Sequence, residues 1–187
     1  MKSALIPCVA GFVLFMSPLL AAPDILDPTT TEDAASTSEQ IDELFAKGME
    51  EVHLQSGIDS LKQSLDLCAQ EYAKRPGDCD VLWRYVRSCA QYAESVKGLQ
   101  LVNWRDVCRE WGKRGIDLGE IAKKIEPGRV EGYTWQTVCI GKYSDATGIL
   151  AAPKENLIGK AKEDLKRSNA IDKSYNDYNP VLANSMF

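Results

Sequence analysis

From Glu39 onward the apolar residues of this chain recur at steps of three and four. Ile41, Leu44, Phe45, Met49 and Val52 form one stripe, the period of a helix with a single buried face. Ser36 and Glu39 stand in capping-box spacing ahead of it, so a first helix is expected from Glu39. Ser56 and Asp59 repeat that spacing, and Ile58, Leu61, Leu65, Cys68 and Tyr72 carry a second stripe that stops at Pro76-Gly77. After this turn Asp78 is placed to cap a third helix bearing Leu82, Val86, Cys89 and Ala93, which should end near Gly98. Asn103 and Asp106 open a fourth, where Trp104, Val107, Cys108, Trp111, Leu118, Ile121 and Ile125 keep helical spacing through Gly112, Gly115 and Gly119. Each glycine weakens a helix by about 1 kcal/mol relative to alanine, so these three are read as marks of close packing. Pro127-Gly128 restarts the cycle with a fifth helix from about Arg129 to Ala146. A sixth is expected after Pro153, with Ile158, Ala161 and Leu165, and a seventh from Asn179-Pro180. Strand-type alternation occurs nowhere.

The two Pro-Gly turns divide the chain into hairpins near 41–76, 79–126 and 130–175. A two-helix hairpin cannot bury its apolar face alone, so repeated hairpins must stack. The expected fold class is therefore all-α: antiparallel helical hairpins stacked as a tetratricopeptide-like solenoid. Trp83 and Trp135 are expected to fill the layers between hairpins. The units exceed the roughly 34 residues of a tetratricopeptide repeat, and the last one is expected to be incomplete at its C-terminal end.

The chain before the first stripe is different. Lys2, an apolar run from Ala4 to Leu20 and the small pair Ala21-Ala22 have the layout of a secretory signal peptide over 1–22, with a retained anchor as the alternative. Lipoprotein processing does not fit, because Cys8 lies inside the apolar run. Residues 23–38 hold Pro, Thr, Ser and acids with no base and are read as a disordered acidic tether, leaving 39–187 as the repeat domain. Loss of 1–22 would leave 21 bases against 27 acids. That balance argues against nucleic acid or an anionic membrane as partner. A periplasmic or secreted protein is expected, with no membrane insertion after signal cleavage.

Export changes the reading of the five later cysteines. Cys89 and Cys108 sit symmetrically about Gly98-Leu99, as residues facing one another across a hairpin would, and Cys68 and Cys79 flank Pro76-Gly77 less symmetrically. Either pair could bridge, and buried free thiols are the alternative. Zinc is a poor reading, since there is no Cys-x-x-Cys pair and His53 is the one histidine. His53 itself is best read as a surface residue near a helix end. No metal, cofactor or catalytic motif is apparent. Asp59, Asp78, Asp80 and Asp106 are explained by helix starts.

Trp104 and Trp111 stand seven apart, on one helix face. They are either the aromatic wall of a partner or ligand groove or core packing between hairpins. Tyr175, Asn176, Asp177 and Tyr178 read as a polar turn or as a binding loop.

Three segments carry a family likeness. "VLWRYVRSCAQYAE" (81–94), "EPGRVEGYTWQTVCIGKYSDATGIL" (126–150) and "LKRSNAIDKSYNDYNPVLANSMF" (165–187) resemble the tetratricopeptide-like T component of tripartite ATP-independent periplasmic (TRAP) transporters. More distantly they are similar to the regulators of microtubule dynamics. The resemblance implies an all-helical periplasmic protein that partners a solute-binding protein and has a pore or apolar cavity for a small ligand. With the signal peptide, the repeated hairpins and no catalytic motif, the chain is read as a non-enzymatic exported scaffold that binds a protein partner. Two readings of other classes stand beside it. One is a secreted all-helical enzyme with an unflagged Asp or Glu pair, and the other is a purely structural envelope protein.

Overall fold

Pro28 opens the first helix, at the position where its missing N–H has no intrahelical partner to lose. The computed structural model describes residues 28–148 and 156–175. Within them six helices follow in order: α1 (Pro28–Glu50), α2 (Gln55–Lys74), α3 (Cys79–Gly98), α4 (Trp104–Ile125), α5 (Val130–Thr147) and α6 (Leu157–Ile171). The described residues contain no strand, so the protein is all-α.

Most of the expected boundaries hold to within a residue or two, and the exceptions have local causes. The first helix starts at Pro28 rather than Glu39, so residues 28–38, expected as part of a disordered tether, are helical. A proline fixed near helical φ, followed later by Glu32 and Ala34-Ala35, offsets the Thr run there. α2 begins at Gln55, which places Ser56 inside the helix rather than at its cap. Ser56 O instead accepts from Ser60 Oγ at 3.0 Å. Asp78 does cap α3, its carboxylate accepting from the N–H groups of Asp80 (2.9 Å) and Val81 (3.3 Å). Pro153, the signal-peptide residues and the expected seventh helix lie outside the described residues.

Each helix packs against the next in the chain, and α3 also touches α1 and α5. The main core runs from Ile41 through Leu65, Cys68, Leu82, Tyr85, Val86 and Cys89 to Ile116, Leu118, Trp135, Cys139, Ile140 and Ala161. A smaller cluster of Ile58, Val96 and Val107 closes one end, where Val102 in the α3–α4 turn stands fully exposed.

The tightest seam joins α4 to α5. A β-carbon at Gly112 would lie 2.7 Å from the Tyr143 backbone nitrogen, one at Gly115 2.2 Å from Cys139 Sγ, and one at Gly119 2.7 Å from Gln136 Cβ. Close packing at the three glycines is thus what the structure has. At α1–α2, Gly48 makes similar room for Leu61.

Trp135 is buried in the core as expected, but Trp83 is only half-buried. Trp83 is the fifth residue of α3, whereas Trp135 is the sixth of α5. One residue turns a helix by about 100°, enough to carry the indole off the core face.

Candidate functional site

Asp80, Trp83, Arg84 and Arg87 fall at helical spacing along one edge of α3, and Asp42 and Phe45 stand three apart on the α1 face beside it. The Asp42 carboxylate serves two guanidinium groups. Arg84 donates to its Oδ2 from Nε (3.0 Å) and from a terminal nitrogen (2.9 Å), and Arg87 donates to Oδ1. Both arginine side chains are largely covered, at 16% and 11% exposure, against 39% for Asp42. Burial pushes the Asp42 carboxyl up, but the hydrogen bonds from Arg84 and Arg87 outweigh it and hold the group below its ordinary value.

Aromatic rings fix these guanidinium groups in place. Arg87 lies 3.9 Å from the Phe45 ring centroid and 4.9 Å from that of Trp83, while Arg84 lies 4.5 Å from Trp83. Arg129, at the start of α5, approaches the same indole at 5.8 Å and pairs with Asp80 at 2.7 Å. Trp83 is therefore ringed by three guanidinium groups drawn from two hairpins. The Arg87 Nε is buried and makes no hydrogen bond. Toward α6, Trp135 donates to the Tyr175 hydroxyl at 3.2 Å. Over the α1 side of the cluster lies a shallow hollow of about 590 Å³ between Ser38, Glu39, Asp42, Glu43, Ala46 and Arg84.

A second polar cluster joins α4, α5 and α6. Lys123 donates to Asp164 at 2.7 Å and pairs with Glu120 at 3.1 Å, and Glu120 also receives Lys160 (3.1 Å) and Gln136 (2.9 Å). Asp164 is buried, and its Oδ2 has no hydrogen-bond partner. Burial pushes its carboxyl up to about 6, because the single ammonium it meets is shared with Glu120. Glu120 suffers burial too, but its hydrogen bonds from Gln136, Lys123 and Lys160 outweigh that and hold it at about 2. The two acids line a cavity of about 650 Å³ with Lys123, Tyr133, Lys160 and Arg167 on its walls.

The expected disulfides are not present. Cys68, Cys79, Cys89, Cys108 and Cys139 are all buried free thiols. The reason for Cys89 and Cys108 is register. The α3–α4 turn is centred beyond Gly98-Leu99, so Cys108 faces Ala93, whose carbonyl it approaches at 3.5 Å, and Cys89 sits near Gly115 and Cys139. Cys68 contacts Ser88 at 3.8 Å in the core, while Cys79 lies near Glu126 and Arg129 across the Pro127-Gly128 turn, so these two also point to different neighbours. Burial pushes the thiol up to about 12 in Cys68 and to about 11 in Cys79 and Cys108.

Trp104 and Trp111 are both half-buried on α4 against the Ile58–Val96–Val107 cluster. Trp111 meets Tyr92 edge-on at 6.4 Å and lines a cleft of about 350 Å³ with Tyr85, Glu110, Lys113, Arg114 and Asp117. Trp104 packs instead beneath Arg105, at 4.8 Å. His53 is exposed. Of the expected polar loop, Tyr175 is described and joins Trp135, whereas residues 176–178 lie outside the described residues. Among the described residues there is no group of three or more metal-ligating side chains, and no helix is long and apolar enough to cross a membrane.

The sequence reading missed both polar clusters. The signal at the first was the spacing of Asp80, Trp83, Arg84 and Arg87, readable as one helix edge. The Asp42 and Asp164 partners depend on which helices lie side by side, which spacing within a helix does not reveal. No protein-family model matches this sequence, and no curated protein matches it either.

Proposed function

We propose that this protein is a non-enzymatic, exported helical-repeat scaffold, its hairpins stacked as a tetratricopeptide-like solenoid, that binds a protein partner along the α1–α3–α5 edge. In the setting that the sequence resemblance implies, it is a periplasmic accessory of a TRAP-type transporter, and its partner is a solute-binding protein. One observation carries the reading. Trp83 is half-buried and ringed by Arg84, Arg87 and Arg129, on α3, which touches both α1 and α5. Tryptophan and arginine are the residues in which binding energy concentrates at protein interfaces. The α4–α6 cavity is lined mainly by charged side chains, among them Glu120, Lys123, Lys160 and Asp164.

The test is co-purification from periplasmic extract with the wild-type chain and with Trp83→Ala. The expected result is one protein enriched by the wild type and reduced about tenfold or more by the variant, with unchanged helical content. Equal recovery with both, or none with either, overturns the proposal.

A second reading, a secreted enzyme with a carboxylate pair, draws on Glu120 and Asp164. Their acidities are split between about 2 and about 6, as in an acid–base pair, and both line the α4–α6 cavity. An activity found by screening and abolished by Asp164→Asn would establish it.

A further inference from the structure

The arginine pair also points to the chemistry of the partner. Arg84 and Arg87 share the Asp42 carboxylate; Arg84 also stands 3.9 Å from the Asp80 carboxylate and donates to the Asp80 carbonyl at 3.0 Å. Arg87 pairs with Asp42 between the Phe45 and Trp83 rings, and its Nε remains a buried donor without an acceptor. The rings of Phe45 and Trp83 hold the guanidinium planes, so the donors are already oriented and little side-chain entropy is lost when an acceptor arrives. The present acceptor, Asp42, is more than a third exposed, and it belongs to α1, a helix that meets α3 far less extensively than α2 does. It can be exchanged without taking the core apart.

We propose that Arg84 and Arg87 bind a single carboxylate side chain of a protein partner, which takes the place of the Asp42 carboxylate. This rests on the partner-binding reading above and narrows it. The surroundings limit which acids fit. Glu39 and Glu43 line the same hollow as Asp42 and Arg84, and Asp80 and Glu131 stand with Arg129 on the α5 side. A run of acids or a multiply charged phosphate would be repelled by these carboxylates. One Asp or Glu flanked by basic or neutral residues satisfies the arginines and is welcomed by the rim.

The experiment is calorimetric titration of the full chain with three probes: a blocked nonapeptide carrying one central Asp among Lys and Ala, the same peptide with Asn, and hexaglutamate. Inorganic phosphate is a fourth. The expected results are binding of the Asp peptide alone, tightening by about tenfold in Asp42→Asn, where the internal competitor is neutral, and loss in Arg87→Gln. Arg84→Lys keeps the charge but not the fork, and should weaken binding severalfold with the fold intact by circular dichroism. Unchanged affinity in Asp42→Asn, or equal binding of the Asn peptide, overturns the site. Equal or tighter binding of hexaglutamate or phosphate overturns the single-carboxylate selectivity. A co-purified partner that Trp83→Ala releases but Arg87→Gln retains leaves the scaffold reading standing and removes this inference alone. Binding of the Asp peptide with no partner recovered shows a carboxylate site but overturns the scaffold reading, and with it the assignment of that carboxylate to a protein partner.

Discussion

The α4–α5 seam and the α1–α3 contact hold helices together by opposite means. Between α4 and α5, glycines at 112, 115 and 119 bring one helix against the other with no side chain of their own, so the fit is one of shape. Between α1 and α3, long side chains span the gap, and Asp42, Arg84 and Arg87 supply charge instead. The contact between α4 and α6 is of the second kind, with Lys123 and Asp164 across it. A shape-held seam has no spare volume and one arrangement. A charge-held contact answers to pH, to salt and to competing ions, and it is the kind of contact a partner can enter.

The largest expected effect comes from spoiling the shape-held seam. Gly112→Ala should destabilise the protein by about 3 kcal/mol, because the new methyl meets the Tyr143 backbone, which cannot rotate away. Helix propensity returns only about 1 kcal/mol of the cost of such overpacking. Urea unfolding measures this, and a Gly112→Ala protein as stable as wild type would end the comparison.

Next in size is a pH effect confined to the charge-held contacts. Asp164 binds its proton more tightly folded, at about 6, than unfolded, near the ordinary 3.8. Its protonation therefore favours the fold, and stability from this group falls as pH rises from about 4 to 6, by on the order of 2 kcal/mol. Asp42 runs the other way: held below its ordinary value, it stabilises above about pH 4 and loses that contribution as acid protonates it. Asp164→Asn should flatten the slope between pH 4 and 6 in thermal melts, whereas Asp42→Asn should leave that window nearly unchanged and alter the region below it.

Removing the α3 cap should cost less. Asp78→Ala leaves the Asp80 and Val81 N–H groups without their acceptor and should lower stability by about 1 kcal/mol, read by urea unfolding. The smallest effect has the opposite sign. A β-carbon at Gly141, on α5 but away from the seam, meets nothing within 4 Å. Gly141→Ala should therefore stabilise by about 0.5–1 kcal/mol in the same measurement. A loss there would show that glycine on α5 matters for some reason other than closeness to α4.

Helices and hairpins were legible because a buried stripe must repeat with the helical period, and Pro-Gly punctuates it. The close approach at Gly112, Gly115 and Gly119 could be read for the same reason: three glycines inside an apolar stripe need a cause. What spacing could not supply was phase and neighbourhood. Trp83 and Trp135 look equivalent in the sequence, yet a one-residue difference in helix start sends one outward and the other into the core. Cys89 and Cys108 look symmetric about Gly98-Leu99, yet the turn extends to Asn103 and shifts the pairing by several residues. The Asp42 and Asp164 sites lay beyond the reading because each depends on a contact between helices far apart in the chain.

The five thiols end up in a chemical shelter. Covered by neighbouring helices and held in the protonated form, they offer neither the access nor the thiolate that alkylating agents and oxidants need. Any modification of them must wait until the surrounding helices part. The rate at which a thiol reagent marks this protein is then a clock for its opening, with Cys79 and Cys108, nearer the turns, reporting local fraying, and Cys89 and Cys139 reporting loss of the whole core.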